Sequence, residues 1–185
     1  MRRTPKCFRI YMMSRYIKEL EFTIDPAPYI KLWSELPEMK QHNLKYRECD
    51  ELLSFQEKLQ LGSGTLRNQN TIKRQDYTQH IFPEIKKLEN QIYNYSNGDL
   101  TIDRIRFMNM TPITCLSYHI DPDSIRYHIP LITDTNAFFV VDDKVERMPD
   151  IGRLYSLQTN VKHTAINAST SANRLHIVFS THFNK

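Results

Sequence analysis

Apolar side chains recur at helical spacing in the first hundred residues and at strand spacing in the remainder. The clearest helix is predicted over about 80–95, where Ile81, Ile85, Leu88 and Ile92 form one stripe and Asn97-Gly98 supplies the stop. Pro28-Tyr29-Ile30-Lys31-Leu32-Trp33, after an Asp25-Pro26 start signal, predicts a second helix, and Asp50-Glu51-Leu52-Leu53-Ser54-Phe55 opens a third. Residues 61–78 are polar, lack apolar periodicity and read as a long loop, either a lid over a site or a solvated connector. From Asp103 on, β-rich runs follow at 104–110, 113–119, 125–132, 137–141, 153–158, 161–166 and 174–180. Seven or eight short strands predict a sandwich or barrel. Within 125–132, Arg126, His128 and Pro130 alternate with Tyr127, Ile129 and Leu131. That strand has a polar face suited to line a pocket and an apolar face suited to pack.

Composition narrows the class. A chain of 185 residues, 40% hydrophobic and 25% charged, with four glycines and nine prolines, suits one globular domain and excludes disordered or fibrous classes. The net charge of +4 is scattered, without the run of like charges that marks a nucleic-acid partner. The apolar run Ile10–Met13 is too short for a signal peptide, and no stretch has the length of a membrane span. Cys7, Cys49 and Cys115, odd in number and widely spaced, suit a reducing compartment, so the expected location is the cytoplasm.

The chemistry concentrates late in the chain. His119 and Asp121 are two apart, so on a strand both point to one face. His163 can be returned beside them by an antiparallel double-sheet fold. Two imidazoles and one carboxylate can hold Fe(II) on one face of an octahedron, leaving positions for a chelating cosubstrate and dioxygen. Arg174, eleven residues after His163, is expected on the adjacent strand, where it can grip a carboxylate through two parallel hydrogen bonds. Asn167 either orients His163 or bonds a neighbouring strand. Tyr118, Tyr127 and Cys115 are expected to pack in the core. His128 suits a cosubstrate contact better than a second ligand, and His42, His80, His176 and His182 are not expected to ligate.

The segment His119-Ile-Asp-Pro-Asp-Ser-Ile-Arg-Tyr-His-Ile-Pro-Leu131, followed by His163-Thr-Ala-Ile-Asn167 and Arg174-Leu-His-Ile-Val178, resembles the aspartyl/asparaginyl β-hydroxylase and proline hydroxylase branch of the Fe(II)/2-oxoglutarate dioxygenases. The resemblance covers about 100–182. It implies an α+β fold with a double-stranded β-helix core, a cupin-like jelly roll, in the C-terminal half and helices of the N-terminal half packed on it. The expected organisation is a single domain over 1–185, with about 1–100 as helical support and lid and about 101–182 as the core. By the resemblance His119, Asp121 and His163 ligate Fe(II), Arg174 pairs with the distal carboxylate of 2-oxoglutarate, and Arg126 and His128 contact its other end. Gly152 matches the glycine that often precedes the hairpin of the distal histidine. Asp121 resembles the proline hydroxylase side, since some aspartyl β-hydroxylases carry glycine there.

The activity so implied is hydroxylation of an amino-acid side chain, in a peptide or protein or in a free amino acid such as proline, with release of succinate and carbon dioxide. The expected partners are that substrate and dioxygen, with no nucleic acid and no membrane. A jelly-roll binding module without turnover is the alternative. A cupin-like isomerase or hydrolase is a third reading, against which Arg174 and Arg126 argue, since such a site needs no dicarboxylate clamp.

Overall fold

The computed structural model describes residues 14–35, 82–116, 118–121 and 124–183. The predicted helix from Asp50, the 61–78 loop, Cys7, Cys49, His42, His80 and the side chain of His182 lie outside the described residues.

The first described element corrects the reading of the first hundred residues as helical. Ile17–Thr23 forms strand β1, antiparallel to β7 (Arg153–Gln158). Its sequence IKELEFT alternates Leu20 and Phe22 with Glu19 and Glu21, a period of two that one face of a sheet accommodates. Helix α1 spans Ala27–Glu35, its start marked by the Asp25 side chain accepting from the Ala27 amide at 3.0 Å. Helix α2 spans Pro83–Tyr95, as the stripe predicts, with proline in its first turn. Ile85, Leu88 and Ile92 are fully buried on it, each burial contributing about 1.5–3 kcal/mol. Asn97 and Gly98 end it with positive φ, and the Gly98 amide donates back to Tyr93 O at 2.8 Å.

Among the described residues eight further strands follow: β2 (Leu100–Met110), β3 (Thr114–Cys115), β4 (Ile125–Ile132), β5 (Ala137–Val141), β6 (Lys144–Glu146), β7, β8 (His163–Asn167) and β9 (Arg174–Phe183). They form two antiparallel sheets, β1-β7-β4-β9-β2 and β3-β8-β5-β6. The β6 strand was not expected, since Lys144-Val145-Glu146 is too short and polar to stand out. Among the described residues of the run expected over 113–119, Thr114–Cys115 form a strand, the Leu116 amide donates to Ala165 O at 3.0 Å, and His119 bridges His163.

Alternation on each long strand of the larger sheet separates two interiors. Ile105 and Phe107 of β2, Tyr127, Ile129 and Leu131 of β4, and Leu175, Ile177 and Phe179 of β9 face α1 and α2 in one buried cluster. A second cluster, containing Met110, Phe139, Val141, Tyr155, Leu157 and Ala165, joins the two sheets. The residues between the outward ones, Arg106, Met108, Arg126, His128, Arg174 and Val178, line a pocket with residues of the smaller sheet. Gly152 sets the entry to β7: its amide donates to Pro130 O, its carbonyl accepts from the Ile24 amide, and its φ is +78°. A Cβ there would lie 2.4 Å from Ile24 O, so only glycine joins β1 and β4 at this point. Among the described residues no helix is long and apolar enough to cross a membrane.

Candidate metal centre

His119 and His163 face each other across an antiparallel bridge. Their backbones exchange both hydrogen bonds, His119 N to His163 O at 3.0 Å and His163 N to His119 O at 2.8 Å. The two rings therefore lie side by side, with centroids 4.5 Å apart. Asp121 is brought to them by its amide, which donates to Thr159 O at 3.0 Å. The ligand atoms of His119, Asp121 and His163 all lie within 4.8 Å of one another. His163, forty-four positions after His119, is thus brought back to it by one backbone pairing, as the double-sheet reading anticipates.

The protonation states suit a metal. His163 is buried, and burial pushes its imidazole below the usual range. Its Nδ1 lies 2.9 Å from Val161 O, and because a carbonyl only accepts, Nδ1 carries the proton and Nε2 presents a lone pair. Burial works to raise the Asp121 carboxyl, but contact with His119 and the charge of Arg126 outweigh it and hold the group below the usual carboxylate range. The donors are a neutral imidazole, an ionised carboxylate and a part-exposed imidazole at the pocket mouth. That set matches the two-histidine, one-carboxylate face used by non-haem Fe(II).

Behind this triad the pocket is basic. Arg106, Arg126 and Arg174 are all buried, and Asp121 is the one carboxylate in the described lining. Arg126 Nε lies 3.0 Å from Asp121 Oδ2, so Arg126 pairs with the carboxylate as well as facing the pocket. Arg174 reaches the pocket from a different place than expected. Its strand β9 belongs to the larger sheet, between β4 and β2, and meets Phe139 of β5 across the sandwich instead of neighbouring β8. A polar strand is tolerated there because the pocket, not solid core, receives its inner face. Among the described residues the Arg174 guanidinium meets no carboxylate. Its neighbours are Met110 Sδ at 3.4 Å, His176 Nδ1 at 3.3 Å and the face of Phe139 at 4.6 Å, and burial pushes its pKa down to about 9. His128 is also buried. Burial, then the charges of Arg174, Arg126 and Arg106, hold it well below the usual range, and among the described residues neither ring nitrogen has a hydrogen-bond partner. The buried imidazole N–H left open beside a buried guanidinium is what a carboxylate, which only accepts, would satisfy.

Other expectations divide. Asn167 bonds neighbouring strands, its amide donating to Met110 O, Thr111 O and Ala172 O. Tyr127 packs as expected, stacked on Phe179. Tyr118 does not: it is 44% exposed, because its hydroxyl bonds the exposed Asp143 at 2.9 Å instead of entering the core. Cys115 is likewise exposed on the short β3. Arg106 was not singled out from sequence. Its signal is the alternation Ile105-Arg106-Phe107-Met108, which puts an arginine on the inner face of β2.

Two histidines and one aspartate brought together between two antiparallel sheets make the donor set used by non-haem iron oxygenases. The family model described as "Aspartyl/Asparaginyl beta-hydroxylase" matches residues 34–182, and the chain belongs to that family. Among curated proteins none matches. Among solved structures, AviO1 from Streptomyces viridochromogenes Tue57 is similar at 15% identity, covering 90% of this chain and 89% of that one with a TM-score of 0.53. The apo form of ThoJ, a non-heme monooxygenase, is similar at 9% identity over 90% of this chain and 74% of that one, with a TM-score of 0.51. These likenesses concern the fold. Other matches span about half of their counterparts: 49% of a nickel complex of ThoJ, and 56% of an oxidoreductase of the 2OG-Fe(II) oxygenase family from Burkholderia pseudomallei, the latter at 17% identity and a TM-score of 0.43.

Proposed function

We propose that the protein is an Fe(II)- and 2-oxoglutarate-dependent dioxygenase that hydroxylates an amino-acid side chain, in a peptide or protein or in a free amino acid such as proline. The carrying observation is the convergence of the His119, Asp121 and His163 donor atoms within 4.8 Å at a pocket that also holds the buried Arg174. In this reading His119, Asp121 and His163 hold the metal. Arg174 clamps the distal carboxylate of 2-oxoglutarate, and Arg126 and His128 face its other end. Bound iron and cosubstrate together supply oxidation of an unactivated C–H bond by dioxygen, with succinate and carbon dioxide as coproducts. The chain contributes orientation and exclusion of water: the Val161 carbonyl fixes the His163 tautomer, Arg126 steadies Asp121, and Met108, Phe139 and Leu157 keep the inner wall apolar.

The strand orders β2-β9-β4-β7 and β3-β8-β5-β6 support the double-stranded β-helix reading, since consecutive strands from β2 on alternate between the two sheets except at the β5–β6 hairpin. Packing of α1 and α2 on the larger sheet supports one dioxygenase domain over 1–185. The carboxylate of Asp121 supports the proline hydroxylase side of the resemblance. A cytoplasmic location is supported by the odd, widely spaced cysteines.

The test is anaerobic titration with Fe(II) and 2-oxoglutarate, followed by the visible metal-to-ligand charge-transfer band of the chelate. The band is expected in the wild type and absent in His163→Ala. Its absence in the wild type overturns the reading and leaves a jelly-roll binding module. Succinate formation over a panel of amino acids and peptides then identifies the substrate.

A further inference from the structure

Arg174 and His176 stand two apart on β9, so both side chains point toward the smaller sheet, while Leu175 and Ile177 enter the cluster under the helices. Both are buried, at 2% and 1% exposure. Arg174 Nη2 lies 3.3 Å from His176 Nδ1. A guanidinium has only donors, so in this contact Nδ1 is the acceptor and the His176 proton sits on Nε2. Burial and the neighbouring charge of Arg174 keep the imidazole neutral, as an acceptor must be. The other groups against Arg174 direct it weakly: a thioether sulfur at 3.4 Å and the face of Phe139 at 4.6 Å. The His176 ring is in turn held edge-on to His128, with centroids 5.8 Å apart.

We infer that His176 is a positioning residue, whose Nδ1 takes one Arg174 donor and so aims the remaining fork of the guanidinium into the pocket to receive a dicarboxylate. The inference rests on the proposed role of Arg174 as the cosubstrate clamp. It explains why a polar ring is buried beside Arg174, between Arg174 and Val178 on the inner face of β9, where an apolar residue would pack at less cost.

The experiment is calorimetric binding of two ligands to the Fe(II)-loaded protein under anaerobic conditions: 2-oxoglutarate, and 2-oxopentanoate, which has the same chain without the distal carboxylate. His176→Phe keeps a ring of similar size and loses the acceptor. It is expected to weaken 2-oxoglutarate about tenfold, the scale of one hydrogen bond to a charged group, and to leave 2-oxopentanoate within about twofold. His176→Asn, which places an amide oxygen near the Nδ1 position, is expected to restore most of the 2-oxoglutarate affinity. Unchanged 2-oxoglutarate binding in His176→Phe, or equal loss for both ligands, overturns the inference, since a residue that only fills space would affect the two alike. If His176→Phe does not fold, His176→Gln, whose amide projects past the Nδ1 position, replaces it, and parity with His176→Asn overturns the inference. Arg174→Met separates the two readings: if it too leaves 2-oxoglutarate binding unchanged, the clamp itself is misassigned and the inference falls with it.

Discussion

Arg126 Nε lies 3.0 Å from Asp121 Oδ2, with the two side chains only 5% and 9% exposed. The arginine therefore turns the carboxylate, leaving Oδ1 on the side of His119, 3.4 Å from its Nε2. An outer partner of this kind typically contributes 10- to 100-fold in metal affinity. Arg126→Gln is expected to lower Fe(II) affinity by about that factor while the fold persists, as read by anaerobic metal titration beside a melting curve. Equal affinity in the variant would show that the Asp121 amide bond to Thr159 O suffices to orient it.

Arg174 is costly to the empty protein. Its guanidinium is buried without a carboxylate among the described residues, and its pKa is pushed down to about 9. Because the folded state binds this proton less tightly than the unfolded chain, the penalty is complete below about pH 9 and shrinks as pH climbs above that value. Arg174→Met is expected to stabilise the apo protein by roughly 1–2 kcal/mol at pH 7, a trade of function for stability. That corresponds to a rise in Tm of roughly 2–8 °C for a chain of this size. The same variant is expected to lose 2-oxoglutarate binding. A lower Tm would show that cation–π contact with Phe139 outweighs the burial of charge.

His128, His163 and His176 are buried, each with its pKa lowered, by burial first. The unfolded chain binds protons near pH 6.5, where the folded protein does not, so stability is complete above that pH and falls as pH drops below it. Each histidine contributes a slope of up to about 1.4 kcal/mol per pH unit. Denaturant unfolding of the apo protein between pH 7.5 and 5.5 is expected to show this loss, and His176→Phe to remove about one proton's share of the slope. A flat profile would mean that these rings take up protons as readily in the folded protein as in the unfolded chain.

Asn167 donates to three backbone carbonyls, Met110 O, Thr111 O and Ala172 O, and accepts from the Ser169 amide. It ties β8 to the end of β2 and to the turn before β9. Asn167→Ala leaves these buried groups unsatisfied and is expected to cost about 2–3 kcal/mol, or roughly 4–12 °C in Tm. Fe(II) affinity is expected to stay within about twofold, since none of its bonds reaches the triad. A selective loss of metal binding would restore a role in orienting His163.

The helix α2 and the inner face of β4 were legible because each is a local period. Ile85, Leu88 and Ile92 need only the pitch of a helix to share a face, and Arg126 and His128 need only the pleat of a strand. The ordered set His119, Asp121, His163 and Arg174 was legible as a string. Its geometry was not. That His119 pairs with His163, and that Arg174 arrives from the opposite sheet, depends on which strands hydrogen-bond across long separations, and no local period encodes that choice. The exposure of Cys115 and Tyr118, the pairing of Arg126 with Asp121 and the contact of His176 with Arg174 have the same origin. The chain by itself determined which residues alternate and which chemistry is present. Tertiary structure alone decided which alternating faces meet, because burial and partnership are properties of the space between sheets.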